Sequence, residues 1–175
     1  MELKTTRLII KKATSEEANQ ISAQISGDSV DAFLTSLTEA DKMTIFQDRD
    51  AVSALLTRFS NSIGDGNNEI YGAWKDKEII GFIAIVNGES GTPELQIEIA
   101  PPFQNKGYGF EFLTALLKYL FEKNNYQYIR YTVMPNNKPS ISLIEHIGAT
   151  KQKPRSEAER LLIYTYHITR ESVTK

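Results

Sequence analysis

The chain has 175 residues, of which 41% are hydrophobic and 24% charged; it carries a net charge of −2 and contains no cysteine. This is the composition of an ordinary globular chain, so residues 1–175 are read as a single domain, and disordered, collagen-like and coiled-coil classes are excluded. The absence of cysteine removes disulfides, thiolate zinc sites and a cysteine nucleophile; with only His146 and His167 no metal is expected, and without a basic surplus no nucleic-acid partner is expected.

In chain order, Leu3 to Lys11 reads as a first strand carrying Leu8, Ile9 and Ile10. Thr14-Ser15-Glu16-Glu17 is a capping box, in which the hydroxyl accepts an exposed amide and Glu17 reaches back; a helix follows to about Ile25. Ser36-Leu37-Thr38-Glu39 offers a second such box for a short helix. Asp48 or Asp50 caps a helix to about Ile63, with Val52, Leu55, Leu56 and Phe59 on one stripe. Gly64 to Asn68 is a loop, after which Ile70–Trp74 and Glu78–Val86 form a hairpin about Lys75-Asp76-Lys77.

Asn87 to Pro93 breaks the chain. Glu94-Leu95-Gln96-Ile97-Glu98-Ile99 then alternates strictly, the pattern of a strand with one buried face, and Pro101-Pro102 ends it. A helix is expected from Gly107 to Lys123 with Phe110, Leu113, Leu117, Leu120 and Phe121 on its buried side, closed by Asn124-Asn125. Tyr128 to Met134 reads as strand, and Asn137 to His146 as helix with Gly148 in the left-handed terminal position. Arg160 to Ile168 reads as a last strand, with a further strand near Thr150 left open. The order β-α-α-β-β-β-α-β-α-β implies an α/β fold, a mixed central sheet with helices on both faces.

Charge is unevenly placed. From Ser15 to Ile70 ten acidic residues face three basic ones, and from Phe103 to Arg160 nine basic residues face five acidic ones. Most such charges are solvated helix faces; the sharper reading is a back half that holds a polyanion and a front half that receives a cation. No apolar run approaches the roughly 18–20 residues that span a bilayer, and the N-terminus leads straight into strand. A cytoplasmic protein without a membrane partner is expected.

The stretch that points to chemistry is Gln104-Asn105-Lys106-Gly107-Tyr108-Gly109, between a strand and a helix. Glycines two apart let the backbone approach a ligand, and unpaired amides at a helix start attract anions. A pyrophosphate suits this design. The P-loop ending Gly-Lys-Ser/Thr is absent, and Phe112 stands where the dinucleotide fingerprint needs a small residue. A glycine-rich helix entry with no ligand remains an alternative on spacing alone.

Gln104-x-x-Gly107-x-Gly109 resembles the Gln/Arg-x-x-Gly-x-Gly/Ala signature of the GNAT N-acetyltransferases. Thr6-Arg7-Leu8-Ile9-Ile10, Ala100-Pro101-Pro102-Phe103 and the segment Pro135 to Gly148 resemble the ribosomal-protein alanine acetyltransferase-like branch. The resemblance implies a GNAT (acyl-CoA N-acyltransferase) fold with acetyl-CoA between two splayed parallel strands. It implies that Gln104, Asn105, Lys106, Gly107, Tyr108 and Gly109 hold the pyrophosphate and that Ile97 and Ile99 pair their backbone with the pantetheine arm. A bulge near Ile99 would free an amide for the thioester carbonyl. Asn137 would bond the cofactor, or simply cap its helix.

The implied reaction is direct attack by a primary amine on the thioester, with a carboxylate or a carboxylate-held water removing the proton. Glu94 ranks first because it stands ten residues before Gln104, where this branch often has a glutamate; Glu98, nearer the expected acetyl group, ranks second. Each is otherwise an exposed strand carboxylate. The tyrosine many relatives place in the last helix is Ile144 here, and Ala149 replaces a usual aromatic. Ser140 then becomes the donor to the leaving sulfur, or a first-turn serine bonded locally. The expected acceptor is a cationic amine: a protein N-terminus, a polyamine or another small amine. A catalytically weak acyl-CoA-binding regulatory module of the same fold is the alternative, and monomer and homodimer both stay open.

Overall fold

The computed structural model describes residues 1–24, 35–53, 68–86 and 91–174. The strands are β1 (Glu2–Lys4), β2 (Ile9–Lys12), β3 (Glu69–Lys75), β4 (Glu78–Val86), β5 (Glu94–Ile99), β6 (Ile129–Val133), β7 (Thr150–Lys151) and β8 (Tyr164–Ile168). The helices are α1 (Ser15–Ser22), α2 (Glu39–Gln47), α3 (Tyr108–Lys123), α4 (Lys138–His146), α5 (Glu157–Leu162) and α6 (Arg170–Val173). Among the described residues the strands make one eight-stranded sheet in the order β1-β2-β3-β4-β5-β6-β8-β7. Every neighbouring pair is antiparallel except β5 with β6.

The alternation read in the sequence becomes two faces. On one, Ile83, Ile85, Leu95, Ile129 and Tyr131 pack under α3, which contributes Phe112, Leu113, Leu116, Leu117, Leu120 and Phe121. On the other, Phe82, Ala84 and Ile70 pack against Ala18 and Ile21 of α1. A third apolar cluster joins Ile45 of α2 and Ala51 to Ala158 and Leu162 of α5 and to Met134, just past β6. The helices therefore lie on both sides of the mixed sheet.

Several starts are where the residues put them. Thr14 accepts from the Glu17 amide and Glu17 reaches back to the Thr14 amide at 2.8 Å. Asp48 is the capping aspartate, accepting from the Ala51 amide at 2.9 Å. The β3–β4 hairpin turns at Asp76, whose φ is 57°. Asn124 ends α3, Gly148 has φ 90°, and a short strand does form at Thr150.

Four expectations are corrected. The first strand is two, β1 and β2, folded back on each other because Thr5 bonds Leu8 through both amide and hydroxyl. The second capping box is shifted by two residues: Thr38 and Asp41 close it, so Ser36 is not the cap. Phe110 lies off the buried side of α3 and is 39% exposed, while Phe112 and Leu116 belong to it. The run from Arg160 is not strand at its start: Ser156 caps α5 by accepting from the Glu159 amide at 3.1 Å, and strand begins at Tyr164. The expectations for Ile25, for Leu55, Leu56, Phe59 and Ile63, and for the loop glycines Gly64 and Gly66 lie outside the described residues.

The corrected stripe can be checked by truncation. Phe112→Ala should cost about 3–5 kcal/mol, because the ring is wholly buried and leaves a cavity. Phe110→Ala should cost less than about 1 kcal/mol. Urea unfolding of the two variants measures the contrast.

Candidate active site

The end of β5 leads through a 3-10 turn, Pro101–Phe103, into the glycine loop. The Gln104 side-chain amide donates to the Ile99 carbonyl at 2.8 Å, and the Lys106 ammonium donates to the Pro102 carbonyl at 2.7 Å. These bonds fold the loop back on the turn. Asn105 and Gly107 then take left-handed backbone, φ 58° and 80°. Gly107 is the N-cap of α3 and no side chain caps it. The first-turn amides of a helix have no partner within it, so those beginning at Tyr108 and Gly109 face outward at the positive end of the dipole. An anion with several oxygens fits this cradle, and a side chain at residue 107 would be strained.

A brace holds the cradle from behind. Glu111 accepts from the Thr5 hydroxyl at 2.6 Å, the Arg7 amide at 2.8 Å and Arg7 Nε at 2.6 Å. Arg7 Nη1 donates to the Lys106 carbonyl at 2.9 Å, and the guanidinium lies over the Tyr108 ring, 4.3 Å from its centroid. In the sequence Arg7 stands out only within the segment Thr6 to Ile10 that carries part of the resemblance, and Glu111 not at all. The pairing spans 104 residues and leaves no local spacing to detect.

Beside the cradle the sheet parts. The parallel pair β5–β6 is registered at Glu94↔Arg130 alone, with the Arg130 amide donating to the Pro93 carbonyl at 2.8 Å. Peptide groups alternate in direction along a strand, so those of Leu95, Ile97 and Ile99 point the same way, toward β6. No bulge is needed for this, and none occurs in β5: its register with β4 is continuous from Gly81↔Ile99 to Val86↔Glu94 and is carried on by the Ala100 amide to the Ile80 carbonyl at 2.9 Å. The irregularity lies instead between β3 and β4, at Ala73 and Trp74. A Cβ at Gly109 would stand 3.6 Å from both Ile99 Cγ1 and Leu143 Cδ2, so the cradle, the open side of β5 and α4 converge. Asn137 caps α4, accepting from the Ser140 amide at 3.2 Å, with Ser140 half-buried in the first turn. Ile144 is 1% exposed, in the core beneath α3.

The carboxylates of β5 occupy the other face, toward α1. Glu94 accepts from Arg130 Nη2 at 2.9 Å, Arg130 Nε at 3.2 Å and the Thr132 hydroxyl at 2.7 Å. Glu98 accepts from the Ser22 hydroxyl of α1 at 2.8 Å. Burial pushes the Glu98 carboxyl above its ordinary range, and the Ser22 bond offsets this only in part. A desolvated carboxylate is poised nearer neutrality, the condition of a proton acceptor. Glu94 is thus engaged in a cross-strand bridge, while Glu98 meets the Ser22 hydroxyl. Gly81 allows the strands to lie close here, since a Cβ would come 2.6 Å from the Glu98 carbonyl.

A separate crevice of about 550 Å³ opens between α2 and α5, lined by Thr44, Gln47, Asp48, Asp50 and Glu157 together with Arg49. Among the described residues no group of three or more His, Asp or Glu could hold a metal ion, and no helix is long and apolar enough to cross a membrane.

The sequence matches the acetyltransferase (GNAT) domain over residues 7–150. The chain belongs to the GNAT acetyltransferase family. It is 35% identical over 80 residues to the [ribosomal protein uS5]-alanine N-acetyltransferase of Escherichia coli, a match covering 44% of this chain and 41% of that enzyme. It is 30% identical over 79 residues to the SPbeta prophage-derived uncharacterized N-acetyltransferase YokL of Bacillus subtilis, covering 44% and 45%. The matches thus span less than half the length of these relatives. Among solved structures, a point mutant of the spermidine N-acetyltransferase SpeG of Vibrio cholerae superposes with a TM-score of 0.64 at 18% identity over 98% of both chains. The Mycobacterium smegmatis RimJ in complex with CoA-disulfide does so with a TM-score of 0.61 at 16% identity, over 96% of this chain and 84% of that one. At these identities the likeness establishes the GNAT fold.

The brace should be visible in the pH dependence of stability. Burial raises the Glu111 carboxyl, but the Thr5 and Arg7 hydrogen bonds outweigh it and leave the group below its ordinary range. Its contribution is therefore present above the unfolded value and lost as pH falls through the folded one. Glu111→Gln should cost about 1 kcal/mol at pH 7, because Arg7 stays open to solvent. That cost should shrink toward about pH 3 in urea melts.

Proposed function

We propose that the chain is an acetyl-CoA-dependent N-acetyltransferase that acetylates a primary amine. The observation that carries this is the uncapped start of α3 beside the parted edge of β5, with a half-buried carboxylate, Glu98, on the opposite face of that same strand. The relatives and neighbours are named for a ribosomal-protein alanine and for spermidine, both amine acceptors, and RimJ carries a CoA compound.

In this reading the amides from Asn105 to Gly109 take the donor's pyrophosphate, and Gln104 and Lys106 shape that loop. The peptide groups of Ile97 and Ile99 pair with the pantetheine arm, and the Ile99 amide polarises the thioester carbonyl. Asn137 borders the same gap while capping α4. The amine nitrogen forms its bond to the acetyl carbon as the carbon–sulfur bond breaks. A primary ammonium has a pKa near ~10.4, so freeing its lone pair at pH 7 costs about 4–5 kcal/mol. Glu98 takes that proton directly or through a water, and the Ser140 hydroxyl donates a hydrogen bond to the departing sulfur. The buried Ile144 supplies no hydroxyl there, which is the feature that keeps a weakly active acyl-CoA-binding module as the second reading. The acidic surplus between Ser15 and Ile70 supports a cationic acceptor.

Thiol release from acetyl-CoA across a panel of amines tests the activity. Release with cationic amines is expected; binding by calorimetry without any release would favour the module, and best turnover of neutral or anionic acceptors would refute the cationic class. Gly107→Val should abolish acetyl-CoA binding, while unaltered affinity would remove the cradle from the account.

Glu98→Gln should lower kcat/KM by about 10²–10⁴-fold and erase the acid limb of the pH–rate profile. The same variant should be more stable than the parent at pH 8. A carboxyl raised on folding favours the native state below its unfolded value and loses that favour as pH rises through the folded one, and the amide carries no such charge. An unaltered acid limb would assign the proton acceptor elsewhere.

A further inference from the structure

The carboxylate of Glu94 grips both Arg130 and Thr132, which lie two residues apart on the same face of β6. Arg130 is its registered partner in the single β5–β6 pair, and Thr132 would stand opposite Gln96, two positions on, if the parallel ladder continued. Thr132 is buried, and the Glu94 side chain is 16% exposed against 46% for Arg130. The backbone ladder ends at one pair, while the side chain of that pair reaches two positions further.

From this the geometry points to Glu94 as a positioning residue: its bridge to Arg130 and Thr132 pins the closed end of the gap between β5 and β6 and so sets where the donor's arm enters. Cross-strand pairs are the unit that holds neighbouring strands, and charge-assisted bonds are the stronger kind. Here one carboxylate does this with three bonds at the point where the main chain supplies almost none. With that bridge gone, the backbone ties β6 to β5 at Arg130, and ahead of the strands through the Gln127 amide donating to the Gly91 carbonyl at 2.9 Å. The strands then wander, and the odd-numbered peptide groups of β5 lose their fixed facing edge. The inference rests on the donor-binding reading above but assigns Glu94 a role that involves no proton transfer.

The test uses the full chain with Glu94→Gln, Thr132→Val and Thr132→Ser. Hydrogen exchange of the ligand-free protein reads the pin itself. In Glu94→Gln the Arg130 amide should exchange about tenfold faster, the order expected for losing charge-assisted bonds, while the amides of Leu116 and Leu117 in α3 keep the parent rate. Calorimetry with acetyl-CoA reads the consequence, an affinity about tenfold weaker. Thr132→Val should move both in the same direction by less, and Thr132→Ser, which keeps the hydroxyl, should match the parent.

Three results would overturn the pin. Unchanged Arg130 exchange in both Glu94→Gln and Thr132→Val is one. Acceleration spread evenly over the α3 amides, which marks a general loss of stability, is another. The third is intact acetyl-CoA affinity with turnover lost, which would make Glu94 the base. Selective acceleration at Arg130, in a protein whose parent form has no measurable affinity for acetyl-CoA, would instead keep the pin and discard the donor reading.

Discussion

A continuous β-sheet is a wall. Side chains on its two faces cannot share one reaction, and every inward peptide group is spent on its neighbour. The parting of β5 from β6 after a single registered pair removes both restrictions at one place. It leaves the peptide groups of Ile97 and Ile99 directed at a gap, and it lets the face that carries Glu98 communicate with the face covered by α3. The rest of the site depends on that gap. The cradle at Gly107 lies at its α3 side, Asn137 and Ser140 at its α4 side, and Glu98 behind it. Pairing β5 and β6 along their full length would satisfy more backbone groups, but it would close the route between the two faces that this sheet offers at β5.

Keeping such a gap requires rigidity on each side of it. β4 supplies one side through an unbroken antiparallel register with β5, made close by Gly81. The antiparallel pair β6–β8 supplies the other, reinforced by the Tyr166 hydroxyl donating to Glu145 of α4 at 2.8 Å. The cradle is fixed separately by Arg7 and Glu111, which tie the loop to the opposite end of the chain. Against this background Glu98 runs counter to stability. Among the described residues it sits desolvated with the Ser22 hydroxyl as its partner, a poor arrangement for folding and one that suits the proton acceptor proposed above.

What could be read in the residues follows the range of the interaction. The Thr14 box, the Asp48 cap, the hairpin at Asp76, the alternation of β5 and the glycine loop are each written within a few residues, and each is found in place. Ambiguity arose where two local solutions competed. Ser36-x-x-Glu39 and Thr38-x-x-Asp41 are both capping frames, and only the second is used. Leu161-Leu162-Ile163 is an apolar run without a period, so helix α5 and strand β8 could not be told apart by pattern. Phe110 fits the apolar side of α3 by spacing, yet it sits exposed in the first turn with its ring edge-on to His146. The carboxylates were invisible in another way. Both Glu94 and Glu98 read as outward strand residues, and what separates them is a partner 36 residues away for one and 76 for the other.

The division of the core explains why the donor half of such a site is easier to infer than the acceptor half. The cradle, β5 and α4 share the large cluster under α3, where one displaced side chain disturbs many others. In the proposed reading the surfaces that would meet an acceptor belong to smaller and separate clusters, one between α1 and the other face of β3 and β4, and one joining α2 to α5 and Met134. These touch the main core through the sheet but share none of its buried side chains. Residues such as Thr44, Asp48 and Glu157 can therefore change with little consequence for the glycine loop, and a new acceptor can be fitted without rebuilding the grip on the donor. A motif of fixed spacing accordingly marks the half that the core constrains, and acceptor choice must be sought in the half where it does not.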